Sequence, residues 1–158
     1  MRAVFACVAL ALSVACTADE PVYEVPPHLA GLPMSAVTVE TASGTHRFRV
    51  WIAADPVSRA NGLMLVREMP ADHGMLFLLE RAQYTTFWMR DTVLPLDLVF
   101  IGADGRVVNI AYQTRPFSED PIPSAAPVIA VLEVLAGTAA RIGLAVGDRI
   151  EMPIRPTA

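Results

Sequence analysis

Between Ser35 and Ile52 the chain alternates apolar and polar residues with a period of two. Val37 and Val39 fall on one side of the first segment, Thr38 and Glu40 on the other. After the turn signal Ser43-Gly44, Phe48, Val50 and Ile52 share one side, and Arg47, Arg49 and Trp51 share the opposite one. This is the period of half-buried strands, and the short turn predicts that the two pair as a hairpin. Asp55-Pro56 then predicts a helix start. An Asp side chain accepts backbone N–H groups at the N-cap, and Pro is tolerated at the first helical position. The helix is expected to run to about Met64, and Met69-Pro70 closes the region.

Beyond this point the alternation gives way to continuous apolar runs, the mark of strands covered on both faces. Met75–Leu79, Thr85–Arg90, Leu96–Ile101 and Val128–Leu135 are read as strands. In the second of these, Phe87 and Met89 point one way and Trp88 and Arg90 the other. Ala103-Asp104-Gly105-Arg106 is a tight turn, returning as a partner strand from Val107 to Tyr112. Thr114 to Pro127 holds Pro116, Pro121, Pro123 and Pro127 and is expected to be a long loop. Gly137 to Ile142 reads as a helical turn, and Gly147-Asp148 as a turn before a last strand, Arg149–Met152. About eight short strands with two short helices predict a mainly β fold, an antiparallel sandwich or barrel. The alternating helices of a parallel α/β sheet are missing.

The N-terminus carries a different signal. Met1-Arg2 is followed by an apolar or small stretch from Ala3 to Ala15, interrupted only by Ser13, and then by polar Thr17-Ala18-Asp19-Glu20. That order predicts a signal segment over residues 1–15, too short to span a bilayer. Ser13-Val14-Ala15 suits a general signal peptidase. The same residues followed by Cys16 resemble a bacterial lipobox, with Leu12 one position early, and that route would attach lipid to Cys16. Residues 16–33, with Pro21, Pro26, Pro27 and Pro33, read as a polar tether, and residues 34–158 as a single globular domain. The expected location is the periplasm, with membrane contact through the Cys16 lipid alone.

Charge and cysteine content remove several classes. The 158 residues contain 12 basic groups, all arginine, against 16 carboxylates, a net charge of −4. Nothing here predicts binding to nucleic acid or to an anionic lipid surface. The only cysteines are Cys7 and Cys16, so the domain has neither a disulfide framework nor a thiolate metal site. His46 and His73 are too few for a metal centre, and no nucleotide or phosphate fingerprint is present. No cofactor is expected.

Several segments resemble one family in order and spacing: Gly62-Leu63-Met64, Gly74-Met75-Leu76-Phe77, Phe87-Trp88-Met89, Thr92 with Pro95-Leu96-Asp97, Asp104-Gly105, Leu132-Glu133 with Gly137, and Gly147-Asp148. The family is domain of unknown function 192, and the resemblance covers about residues 35 to 153. It implies a compact, largely antiparallel, jelly-roll-like β fold and no established reaction. Asn61 and Asp91 stand where family members often carry a basic residue and Asn, which makes this chain less basic at both places.

The candidate chemistry lies around Trp88, Arg90, Asp91, Thr92 and Asp97, which read as a ligand-binding group. Asp97 sits between Leu96 and Leu98, and Glu133 interrupts Val131-Leu132 and Val134-Leu135. A carboxylate in an apolar run is costly to bury unless it is bonded. Each is therefore either a structural anchor or a pocket group. As neighbours they would form a two-carboxylate hydrolytic site. The function expected is a non-catalytic module binding a small ligand, such as a saccharide, by stacking and hydrogen bonding. The alternatives are an envelope hydrolase using Asp97 and Glu133, and a structural or assembly partner of another envelope protein.

Overall fold

A computed structural model describes residues 25–152. The segment expected to be a signal, Cys16 and the first part of the expected tether lie outside the described residues, as do residues 153–158. Among the described residues there are nine strands and three short helices: α1 (Pro27–Ala30), β1 (Met34–Thr41), β2 (Gly44–Ala53), α2 (Pro56–Asn61), β3 (His73–Gln83), β4 (Thr86–Phe87), β5 (Leu96–Ile101), β6 (Val107–Ala111), β7 (Ile122–Pro123), β8 (Val128–Leu135), α3 (Thr138–Arg141) and β9 (Arg149–Glu151).

Seven strands form one sheet in the order β6-β5-β8-β3-β2-β1-β9. The sheet curls until its outer strands meet. Val107 N donates to Asp148 O at 2.9 Å, and Ile150 N to Gly105 O at 2.8 Å. The result is a half-barrel, the barrel form of the mainly β fold that the strand pattern predicts. One pair departs from the antiparallel expectation: β2 and β3 run parallel, with Trp51 beside Met75. Parallel neighbours need a long crossover. The segment carrying α2 supplies it, with Asp55 accepting from Val57 N and Ser58 N as the N-cap. The local signals around Asp55 are thus correct, and the direction of the next strand is set by the whole sheet.

Both sheet faces are buried. The concave face holds Val37, Val39, Phe48, Val50, Ile52, Leu76, Val99, Leu132 and Val134. The convex face holds Trp51, Met75, Phe77, Leu98, Phe100 and Val131. Each β2 side chain lies on the face its alternation predicts. The convex face is closed by α1, the 62–70 segment and the small β4–β7 sheet. Only Thr86–Phe87 of the expected Thr85–Arg90 strand pairs, with Ile122–Pro123 from the long loop. Alternation nonetheless survives in burial: Met89 is buried while Trp88 and Arg90 are exposed.

The tether expectation is corrected over its second half. Leu29 is buried in the convex core, and Pro33 O accepts from Ile52 N at 2.9 Å, extending the hairpin ladder. An apolar residue two places after a proline pair looks like linker until a surface exists to receive it. His73, two residues ahead of the Met75–Leu79 run, opens β3 and packs its ring 5.9 Å from Trp51.

At Gly74 the backbones of β3 and β8 leave no room for a side chain. A Cβ there would lie 2.3 Å from the Glu133 carbonyl oxygen on β8. Gly74→Ala is therefore expected to push two central strands apart and to destabilise the fold by about 3 kcal/mol, the upper end for overpacking. Denaturant titration measures it, and a loss below about 0.5 kcal/mol would show that the strands separate freely.

Candidate functional site

A cavity of about 420 Å³ opens on the convex side between α2, the β4 segment and the sheet. Three parts of the chain build it. The α2 end contributes Arg59, Asn61, Gly62 and Met64; β3 contributes Phe77, Leu79 and Gln83; and the 85–92 segment contributes Thr86, Phe87, Trp88, Arg90 and Thr92. Glu133 of β8 also lines it.

Register fixes where Glu133 points. It pairs with Met75 on one side and Leu98 on the other, both convex-face residues. Paired residues on neighbouring strands share a face. The carboxyl group therefore rises from the convex face into the cavity, with only 5% of the residue exposed. No described residue hydrogen-bonds or ion-pairs with it. No fully buried side-chain nitrogen or oxygen among the described residues lacks a partner, so the unpartnered Glu133 oxygens are reached by solvent through the cavity. Burial pushes its carboxyl from 4.5 up to about 8, because the charged form loses hydration and gains no cation in exchange.

The rim is aromatic and cationic. The Arg90 guanidinium lies 4.4 Å from the centre of the Trp88 ring, and Trp88 is 47% exposed. Phe87 closes the side, edge-on to Phe77 at 5.0 Å and to Phe100 at 6.0 Å. Arg59 is held by the main chain, donating to Ala54 O and Leu78 O. Thr92 is buried and donates its hydroxyl to Arg90 O at 3.2 Å, which helps to hold the turn carrying Trp88 and Arg90. Gly62 (φ 48°, ψ −137°) takes a backbone conformation suited to glycine, and its missing side chain leaves room for Phe77.

Two residues of the sequence-derived group lie elsewhere. Asp91 faces a neighbouring hollow with His28, Asn61, Met64 and Leu65. Its own backbone is left-handed, and its carbonyl accepts from Leu65 N, also left-handed, at 2.9 Å. Asp97 is wholly buried on the concave side: it pairs with Val134, and its carboxylate accepts from Gln113 N at 2.8 Å and Ala139 N at 2.9 Å. Asp97 and Glu133 are one residue out of step across β5 and β8, so their side chains leave opposite faces. The two-carboxylate site is corrected on this ground, and Asp97 is a structural anchor. Trp88, Arg90 and Thr92 do meet at the cavity. Sequence reasoning missed Arg59, Asn61, Phe77 and Gln83 as lining residues, although Gly62-Leu63-Met64 and Gly74–Phe77 mark the stretches beside them. Among the described residues no group of three or more His, Cys, Asp or Glu side chains could hold a metal ion.

The fold and cavity define a half-barrel with one buried carboxyl group under an aromatic rim. The DUF192 family model (Uncharacterized ACR) matches residues 37–152, and the chain belongs to this family. It is similar to a protein of unknown function from Novosphingobium aromaticivorans DSM 12444, with 45% identity, a TM-score of 0.77, and coverage of 82% of this chain and 91% of that one. It is also similar to a proposed transcription regulator from Sinorhizobium meliloti 1021, with 45% identity, a TM-score of 0.74, and coverage of 76% and 94%. No curated protein matches the chain.

Proposed function

We propose that the chain is exported to the periplasm, held at a membrane by lipid on Cys16, and that its domain binds a small saccharide in the Glu133 cavity without turning it over. The observation that carries the binding reading is Glu133 itself, a buried carboxyl group with no hydrogen-bond or ion-pair partner among the described residues, aimed into a cavity of ligand size beneath a half-exposed Trp88. A carboxyl group kept only for packing would be expected to find a donor. An aromatic face beside convergent polar groups is the usual way to hold a sugar ring. Hydrolysis by paired carboxylates has lost its second carboxylate. The role named for the Sinorhizobium relative finds little support in a net charge of −4, since nucleic-acid binding rests on phosphate neutralisation.

A thermal-shift screen of the full chain against envelope saccharides tests the binding reading. A ligand at 100 times its Kd is expected to add about 2.7 kcal/mol, several degrees of Tm. Trp88→Ala is expected to abolish that shift while leaving the unliganded Tm within about 2 °C, because the ring is half in solvent and surface changes move stability little. A flat screen together with a co-purifying envelope protein would replace this reading with the assembly-partner one. For the anchor, wild type is expected to incorporate radiolabelled palmitate and sediment with membranes. A Cys16→Ser chain that still sediments, with no label in wild type, would remove the lipid.

A further inference from the structure

Three groups lining the cavity are ionisable: Arg59, Arg90 and Glu133. Their placement is not symmetrical. Glu133 sits on the floor, and the two cations belong to the walls and rim. Arg59 is fastened to Ala54 O and Leu78 O and lies 3.9 Å from the exposed Glu80 carboxylate, so much of its hydrogen-bonding capacity is already committed. Arg90 makes no ion pair with any described residue, and its guanidinium lies over the face of Trp88. An exposed cation that lines the cavity and rests on an aromatic ring suits a carboxylate that arrives with a ring to stack.

We propose that this site selects an acidic sugar of the uronic-acid class, its hydroxyls meeting Glu133 on the cavity floor and its carboxylate meeting Arg90 at the rim beside Trp88. The proposal rests on the saccharide-binding reading and narrows it. Neutral at pH 7, the Glu133 carboxyl group offers one O–H donor and one C=O acceptor to a vicinal diol and does not repel an acid. An aminosugar would instead bring its ammonium into a cavity that already holds two guanidinium groups. A neutral hexose would leave the Arg90 edges unused. The volume of about 420 Å³ leaves room for a monosaccharide and ordered water.

The test is calorimetric titration of the full chain at pH 6.5 with glucuronate, glucose and glucosamine, for wild type, Arg90→Gln and Glu133→Gln. Glucuronate is expected to bind wild type at least about tenfold tighter than either competitor, in keeping with a charge-assisted bidentate contact. Arg90→Gln is expected to reduce that preference to within about threefold, lowering affinity for glucuronate more than for glucose. Glu133→Gln keeps a donor and an acceptor and is expected to lower affinity for all three sugars alike. Glucose or glucosamine binding as tightly as glucuronate would overturn the acid selectivity and leave the saccharide reading standing. So would a glucuronate preference that survives in Arg90→Gln. Silence with all three sugars would overturn both.

Discussion

Raising the pH from 5 to 9 is expected to destabilise the folded domain by about 2–4 kcal/mol through Glu133 alone. The folded carboxyl group titrates at about 8 against 4.5 when unfolded. Between those values the folded state holds a proton that the unfolded state has lost. Stability from this group is therefore complete below about pH 4.5, declines as pH rises towards 8, and is flat above it. A full conversion of the shift would exceed the figure given. The carboxyl oxygens face the cavity, however, and water there recovers part of the lost hydration. Glu133→Gln keeps the shape and removes the titration. The variant is expected to match wild type near pH 5 and to exceed it at pH 9, in urea unfolding followed across the range. Parallel pH profiles for the two proteins would mean that Glu133 is hydrated or paired in solution.

Asp97→Ala is expected to be among the most damaging single substitutions in the chain, costing about 3–5 kcal/mol. Asp97 is wholly buried and serves two backbone donors at once. One is Ala139 N, in the first turn of α3, whose N-cap is Gly137 and has no side chain to cap it. The other is Gln113 N, where the chain turns out of β6 with φ 47°. Removing the carboxylate strands two donors, at least one fully buried, and leaves a cavity between β5 and α3. Each buried unsatisfied group costs roughly 1–3 kcal/mol. Asp97→Asn keeps one acceptor but turns an NH₂ towards the other donor, so an intermediate loss is expected. Because Asp97 lies across the sheet from the cavity, the asparagine variant is expected to keep ligand affinity within about twofold wherever it is folded. A tenfold loss of affinity without a loss of stability would return Asp97 to the site.

Much of the fold is legible in the chain. The period-two alternation of β1 and β2 assigns each residue to its face, and the uninterrupted runs of β5 and β8 give strands covered on both sides. Proline and glycine punctuation places the turns, and Asp55-Pro56 starts a capped helix. These are local effects, decided by side-chain direction, backbone steric limits and caps a few residues away. The sequence also shows that Asp97 and Glu133 are anomalous, since a carboxylate inside an apolar run must be explained wherever the run lies.

Tertiary structure alone decides what each anomaly is. Asp97 and Glu133 look alike in sequence, and strand register separates them by a single step. One faces backbone donors brought from 16 and 42 residues away, the other an opening with none. The parallel β2–β3 pair, the docking of Leu29, and the meeting of the α2 end with Trp88 are likewise non-local. They depend on which surfaces the completed sheet leaves to be covered, and that information lies in burial summed over the whole chain, beyond the reach of any one segment.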